Sequence, residues 1–90
     1  MDTVAVLKAV ADETRLRIVN LLVHADELCA CEIEAVLDLT QSNASRHLAR
    51  LRSAGIVTAA KQGHWVHYAI ARSSSHASLL PPLLDSLRDE

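Results

Sequence analysis

The sequence is poor in the residues that interrupt helices or fill an aromatic core. Its 90 residues include no Phe, one Trp, one Tyr, two Gly and two Pro, while half of the residues are apolar. So little Gly and Pro beside so much Ala, Val, Leu and Ile excludes a disordered chain and favours a compact helical one. The length predicts a single domain over residues 1–90, with a small core that gains stability from oligomerisation.

Long apolar segments are also missing. No run reaches the roughly 18 residues that a membrane-spanning helix requires, and the chain does not begin with a basic segment followed by an apolar one. These absences predict a cytoplasmic protein without a membrane partner. In that compartment, two cysteines are metal ligands or redox groups more often than a structural disulfide, and small buried core thiols are the alternative.

Motifs typical of catalysis are missing as well. The sequence has no Gly-rich phosphate loop, and its cysteines are separated by one residue, whereas the redox motif of thiol oxidoreductases separates them by two. We therefore expect a binding protein and not an enzyme.

Acidic residues are absent from the stretch 39–84, which contains four Arg and one Lys. The rest of the chain carries four basic side chains against eleven acidic ones, so the net charge of −2 conceals a basic half. A localised basic surface in an acidic protein indicates contact with a polyanion. A merely solvated basic surface is the alternative that charge alone leaves open.

Apolar residues recur at helical spacing in five segments, and two further segments have strand composition. The predicted helices span 3–10, 13–24, 32–37, 41–54 and 80–87, and the predicted strands span 56–60 and 64–71. The first helix is predicted to carry one apolar stripe of Val4, Leu7, Val10 and Ala11. In the second, Leu16, Val19, Leu22 and Val23 are predicted to face inward, with Ile18 flanking. Asp12 is the expected N-cap of the second helix, and residues 28–30 are either extended or the entry to a helix.

The third and fourth helices are separated by Asp38, Leu39 and Thr40, a spacing typical of a helix-turn-helix. Thr40 or Ser42 is expected to cap the fourth helix, and Gly55 to end it. Two strands with a turn at residues 61–63 convert this unit into a winged helix. We predict a mainly α fold with a small β-hairpin, in the order α-α-α-α-β-β-α, and a homodimer formed through the short apolar first and last helices.

The fourth helix has the composition of a DNA-recognition helix. The N-terminal residues of such a helix reach base edges in the major groove, and here they are Gln41, Ser42, Asn43, Arg46 and His47. Phosphate contacts are expected from Ser45, Arg50 and Arg52, and contacts from the wing tip are expected from Lys61, Gln62 and His64. The expected partner is double-stranded operator DNA, and a dimer requires an inverted repeat with half-sites about one or two turns apart.

Cys29 and Cys31 form a CxC pair at the start of the helix-turn-helix. On a regular helix their thiols would point about 200° apart, so they converge on one ion only if the helix begins irregularly there. Thiolates select soft ions. Two of them leave a tetrahedral site incomplete, while a three-coordinate ion such as trivalent arsenic needs one ligand more.

Four stretches of the chain resemble the ArsR/SmtB family of metalloregulatory repressors, most closely its arsenic-responsive type. They are ADETRLRIVNLL (11–22), ELCACEI (27–33), SRHLARLRSAGIV (45–57) and KQGHWVHY (61–68). The resemblance implies a winged-helix homodimer that represses a resistance operon and leaves its DNA when trivalent arsenic or antimony binds Cys29 and Cys31.

One position departs from the arsenic-type pattern. Members of that type often carry a third cysteine three residues after the second, and Glu34 stands there in this chain. A solvent ligand, a small thiol, His24 or Glu34 would then complete the site. Two other hypotheses stay open: the same repressor responding to another thiophilic metal or to thiol oxidation, and a constitutive DNA-binding module with structural cysteines.

Overall fold

The computed structural model describes residues 3–71. Its elements in chain order are α1 (Thr3–Val10), α2 (Glu13–His24), β1 (Leu28–Cys29), α3 (Ala30–Leu37), α4 (Gln41–Ser53), β2 (Val57–Gln62) and β3 (Trp65–Ile70). This order confirms the predicted winged helix-turn-helix. The helix predicted over 80–87 lies outside the described residues.

Local sequence signals set the helix boundaries. The Asp12 carboxylate accepts a hydrogen bond from the Arg15 N–H at 3.0 Å and so caps α2. The Thr40 hydroxyl accepts one from the Asn43 N–H at 3.1 Å, which decides for Thr40 and against Ser42 as the cap of α4. Gly55 follows α4 with φ of 78°, a left-handed conformation that glycine adopts without strain.

The segment 28–30, which the sequence left undecided, is extended at its first two residues and enters α3 at Ala30. Leu28 and Cys29 form β1, which pairs antiparallel with β3, so the wing is a three-stranded sheet in the order β1-β3-β2. The β2–β3 hairpin turns at Gly63, whose φ is 65°. The first wing strand, β2, extends two residues further toward the tip than predicted, whereas β3 is one residue shorter at each end than the predicted strand over 64–71.

The core lies where α2, α3 and α4 meet the base of the wing. Its fully buried large side chains are Ile18, Val19, Leu22, Ile33, Leu48 and Leu51. The buried face of α1 is Val6, Ala9 and Val10, so it shares only Val10 with the predicted apolar stripe. Val4 and Leu7 of that stripe are 55% and 52% exposed, and Ala11 is also exposed. In α2, Ile18 is buried and not merely flanking, while Leu16 and Val23 are only partly buried.

The reason for these differences is geometric. Several stripes on a short apolar helix satisfy helical spacing, and the neighbouring helices choose among them. Within residues 3–71, no helix is long and apolar enough to cross a membrane.

Candidate DNA-binding surface and thiol site

The polar face of α4 is displayed to solvent because its apolar face is fixed in the core. Ala44, Leu48 and Leu51 are buried, with at most 1% exposure. Seven of the predicted DNA contacts are exposed on the same helix: Gln41, Ser42, Asn43, Ser45, Arg46, Arg50 and Arg52. No acidic residue interrupts this set, so it forms a positive, hydrogen-bonding surface of the kind that enters a major groove.

The side chain of Arg46 is partly oriented before any DNA arrives. Its Nη2 donates to Asn43 Oδ1 at 3.2 Å on the exposed side of α4. An Arg and an Asn can each pair bidentately with one base, guanine and adenine respectively. Their mutual hydrogen bond restricts the rotamers of both, which lowers the entropy lost when they bind.

His47 was predicted to contact bases, and the structure corrects this. Only 7% of His47 is exposed, and its Nδ1 lies 3.3 Å from Arg15 Nη1. Because an arginine only donates, Nδ1 accepts and the neutral ring carries its proton on Nε2. Burial lowers the pKa of His47, which agrees with a neutral ring.

Arg15 joins three elements at this point. Its Nε donates to the Ala9 carbonyl at the end of α1, and its Nη1 lies 4.0 Å from Asp12 Oδ2. His47 therefore anchors α4 to α1 and α2 instead of reading DNA. The signal was present in the sequence, since His47 stands three residues after Ala44 and four before Leu51 on the same helical face.

The wing tip carries the remaining predicted contacts. Lys61, Gln62 and His64 are exposed around the Gly63 turn. The Gln62 side chain is already hydrogen-bonded there, since its Nε2 donates to both carboxylate oxygens of Glu27, at 3.4 and 3.5 Å. The sequence did not indicate this contact, which joins residues 35 positions apart.

The two thiols occupy different structural positions. Cys29 is the N-cap of α3, with an extended backbone at φ −78° and ψ 161°, and is 8% exposed. Cys31 lies in the first turn of α3 and is exposed, and both cysteines are free thiols. Since Cys29 precedes the regular helix, the helical separation that would keep the thiols apart does not apply to this pair.

Hydrogen bonds tie the two thiols and the start of α3 together. Hydrogen bonding to the Cys31 thiol raises the pKa of Cys29. The Glu32 carboxylate accepts from the Cys29 N–H at 2.9 Å, which completes a capping box and lowers the pKa of Glu32. At neutral pH the Cys29 thiol is therefore protonated, and an incoming thiophilic ion must displace its proton.

Two sulfur donors fit a thiophilic ion, and the described residues supply no complete site. Within 3–71, no cluster of three or more His, Cys, Asp or Glu side chains could hold a metal ion. His24 Nδ1 lies 2.9 Å from the Asn20 carbonyl on the exposed side of α2. In the described part of the chain no third His, Cys, Asp or Glu side chain thus completes a site with the thiols, and the third ligand stays a prediction.

The fold and both surfaces agree with one family. The family model described as "Bacterial regulatory protein, arsR family" matches residues 12–59, from the cap of α2 into β2. The chain belongs to the ArsR family. Its membership confirms the resemblance carried by the four sequence stretches.

Relatives in this family differ in the metals for which they are named. The arsenical resistance operon repressor of Escherichia coli K12 is 48% identical over 76% of this chain and 58% of that protein. The cadmium resistance transcriptional regulatory protein CadC of Listeria innocua is 44% identical over 70% of this chain and 53% of that protein. The chain spans about half the length of the curated relatives it matches.

A solved structure supports the architecture. The homodimeric winged helix-turn-helix DNA-binding domain of a possible ArsR-family regulator from Mycobacterium bovis matches with a TM-score of 0.81 and 31% identity. The match covers 97% of this chain and 78% of that chain. The DNA-binding winged-helix fold of this ArsR-family chain is thereby shown.

Proposed function

We propose that this chain is a dimeric transcriptional repressor that binds operator DNA and is released when trivalent arsenic or antimony binds Cys29 and Cys31. The observation that carries the proposal is the position of the thiol pair. It begins α3, the first helix of the same helix-turn-helix whose second helix, α4, presents the basic surface. Acting on DNA, the protein would work in the cytoplasm, as a regulator and not an enzyme.

The polar face of α4 supports the DNA-binding half of the proposal. Base contacts come from Gln41, Ser42, Asn43 and Arg46, and phosphate contacts come from Ser45, Arg50 and Arg52. At the wing, Lys61, Gln62 and His64 reach the adjacent backbone. The exposed, acid-free character of these positions supports the assignment.

The outer face of α1 supports a homodimer. Leu7 is 52% exposed beside the exposed Val4, on a helix whose other face is already buried in its own protomer. Exposed apolar side chains on a short helix favour pairing with an identical face across a two-fold axis. Two copies of α4 would then read two half-sites of an inverted repeat.

The thiol pair supports the inducer half. A trivalent arsenic or antimony ion supplies strong bonds to thiolate sulfur. Cys29 and Cys31 would hold the ion, and both must give up their protons to do so. Because Cys29 also caps α3 and pairs with β3, a backbone shift that brings its sulfur onto an ion disturbs both contacts.

A second candidate keeps the repressor and changes its input to Cd(II), Pb(II) or an oxidant. The similarity to CadC favours this alternative over inert cysteines. In a third, the chain binds DNA constitutively and Cys29 is only a buried cap.

A gel-shift titration of the full chain separates these functions. Wild type and Cys29→Ser/Cys31→Ser are titrated with arsenite, cadmium and peroxide, and Glu34→Gln and His24→Gln test the two candidate side chains for the third ligand. We expect arsenite to weaken wild-type DNA binding by about 5- to 150-fold and to leave the double variant unaffected. Release of the double variant by arsenite would refute the sensor, and no response of wild type to any of the three would favour the constitutive module.

A further inference from the structure

The thiol segment is physically part of the wing. In β1, Cys29 pairs with His67 and Leu28 pairs with Tyr68, so the N-cap of α3 is also an edge strand of the wing sheet. Directly opposite residues in an antiparallel pair lie on the same face with their Cβ atoms about 5 Å apart. Displacement of Cys29 therefore acts on β3 without passing through α3 or α4.

Glu27 adds a second connection between the same two elements. This half-exposed carboxylate, two residues before Cys29, accepts from Gln62 at the wing tip, and its Oε1 lies 3.3 Å from His67 Nδ1. The His67 contact has ion-pair spacing without hydrogen-bond geometry, since Nδ1 is buried and makes no hydrogen bond. One side chain thus touches the residue that faces Cys29 and the residue that ends β2.

We propose that Glu27 is a positioning residue that couples the thiol pair to the wing, an inference that rests on the proposed function. When Cys29 turns toward an ion, the β1–β3 pairing shifts and the Glu27 contacts carry the shift to Gln62. The wing then leaves the position from which Lys61 and Gln62 contact the DNA backbone. Release acts on the wing as well as on the helix pair.

The wing contains its own reporter. Trp65 is the one tryptophan of the chain, pairs with Gln62 across the hairpin, and is 59% exposed. Its fluorescence therefore reports the environment of the wing tip. This readout needs no DNA and does not depend on residues that bind the ion.

The test compares Glu27→Ala with Asp26→Ala in the full chain. Asp26 is the adjacent exposed acid, so both variants remove one negative charge from the same segment. Arsenite is added without DNA while thiolate–arsenic absorbance and Trp65 emission are recorded together. We expect equal arsenite ligation in all three proteins, a full emission change in wild type and Asp26→Ala, and loss of most of that change in Glu27→Ala.

The same proteins are then titrated with operator DNA with and without arsenite. Glu27→Ala is expected to reduce the ratio of the two dissociation constants by about 2- to 30-fold relative to Asp26→Ala. Glu27→Gln keeps an acceptor for Gln62 and should retain more of the response than Glu27→Ala. Equal thermal midpoints would confirm that these substitutions leave folding intact.

The outcomes separate this inference from the proposed function. If wild type ligates arsenite and releases DNA but Glu27→Ala responds like Asp26→Ala, the Glu27 coupling is refuted and the proposed function stands. If ligation occurs with no change in wild-type Trp65 emission, the wing route is refuted. If wild type neither ligates arsenite nor binds DNA, both proposals fail together.

Discussion

The N-cap residues of α3 and α4 have nearly the same backbone conformation but side chains of different chemistry, a thiol and a hydroxyl. Cys29 caps α3 at φ −78° and ψ 161°, and Thr40 caps α4 at φ −70° and ψ 157°. The Thr40 hydroxyl keeps its proton and binds no soft ion, whereas a thiol can lose its proton and coordinate one. The proposed sensor at a helix start therefore requires no unusual backbone, only a sulfur atom where the neighbouring helix has an oxygen.

The two helices also differ in how firmly the core holds them. α4 buries Ala44, His47, Leu48 and Leu51, while Ile33 alone is fully buried in α3. Val36, on the outer side of α3, is 61% exposed. The element proposed to read DNA is thus anchored along its length, and the element that carries the thiols has few apolar contacts to resist a shift.

The largest expected effect comes from removing a base reader at the start of α4. Arg46→Ala should weaken cognate DNA binding by about 1–3 kcal/mol and relax specificity at one position. Lys61→Ala should weaken cognate and random DNA alike and reduce the salt slope by about 1. Anisotropy titrations at several salt concentrations measure both effects.

Arg17→Ala is the matched control for Arg46, because Arg17 is an exposed arginine on α2 outside the predicted DNA surface. We expect it to change binding little. Equal losses on cognate and random DNA for Arg46→Ala would show that α4 does not read bases through this residue. The start of α4 would then have no base-reading role to set against the thiols at the start of α3.

An intermediate effect is expected at the caps themselves. Thr40→Ala removes the bond to the Asn43 N–H and should lower the free energy of unfolding by about 1 kcal/mol. Cys29→Ser retains a capping side chain and should change stability by less than about 0.5 kcal/mol, because serine is a favoured N-cap. Urea denaturation of Thr40→Ala and Cys29→Ser measures the two free energies of unfolding.

Ser42→Ala is the control, since it deletes a hydroxyl from the first turn of α4 that makes no capping bond. Its effect should stay within about 0.5 kcal/mol. If Cys29→Ser destabilises the protein as much as Thr40→Ala, sulfur and oxygen are not interchangeable as caps here.

The smallest effects are expected from the dependence of stability on pH, which should fall both toward acid and toward alkali. Burial lowers the pKa of His47 below 6.5, so the unfolded chain binds more protons and stability falls as pH drops below that value. Hydrogen bonding to Cys31 raises the pKa of Cys29 above 9.0, so the folded chain keeps its proton longer and stability falls as pH rises above that value.

Thermal midpoints measured from about pH 5 to about pH 10 would show both limbs of the stability profile, the acid fall and the alkaline fall. His47→Leu should flatten the acid limb, and Cys29→Ser should flatten the alkaline one. An acid limb that persists unchanged in His47→Leu would assign that limb to other groups.

Most of the architecture was predictable because its signals are local. The caps at Asp12 and Thr40, the turn before α4 and the glycine after it each depend on a few adjacent residues. The exposed face of α4 followed from helical periodicity, apart from His47, which was interpreted by its polarity and not by its spacing. The apolar stripe predicted for α1 shares only Val10 with the buried face, because a short apolar helix offers several stripes and its neighbours select one.

The sequence by itself determined the helix-turn-helix, the acid-free basic face of its second helix and the presence of a thiol pair at its start, since periodicity, caps and charge are properties of neighbouring residues. Only the tertiary structure decided that Cys29 belongs to the wing sheet, that His47 pairs with Arg15, and that Glu27 reaches Gln62. These contacts join residues 32 to 38 positions apart in the chain. No local pattern encodes them, because they exist only once the core has brought the wing back beside the start of α3.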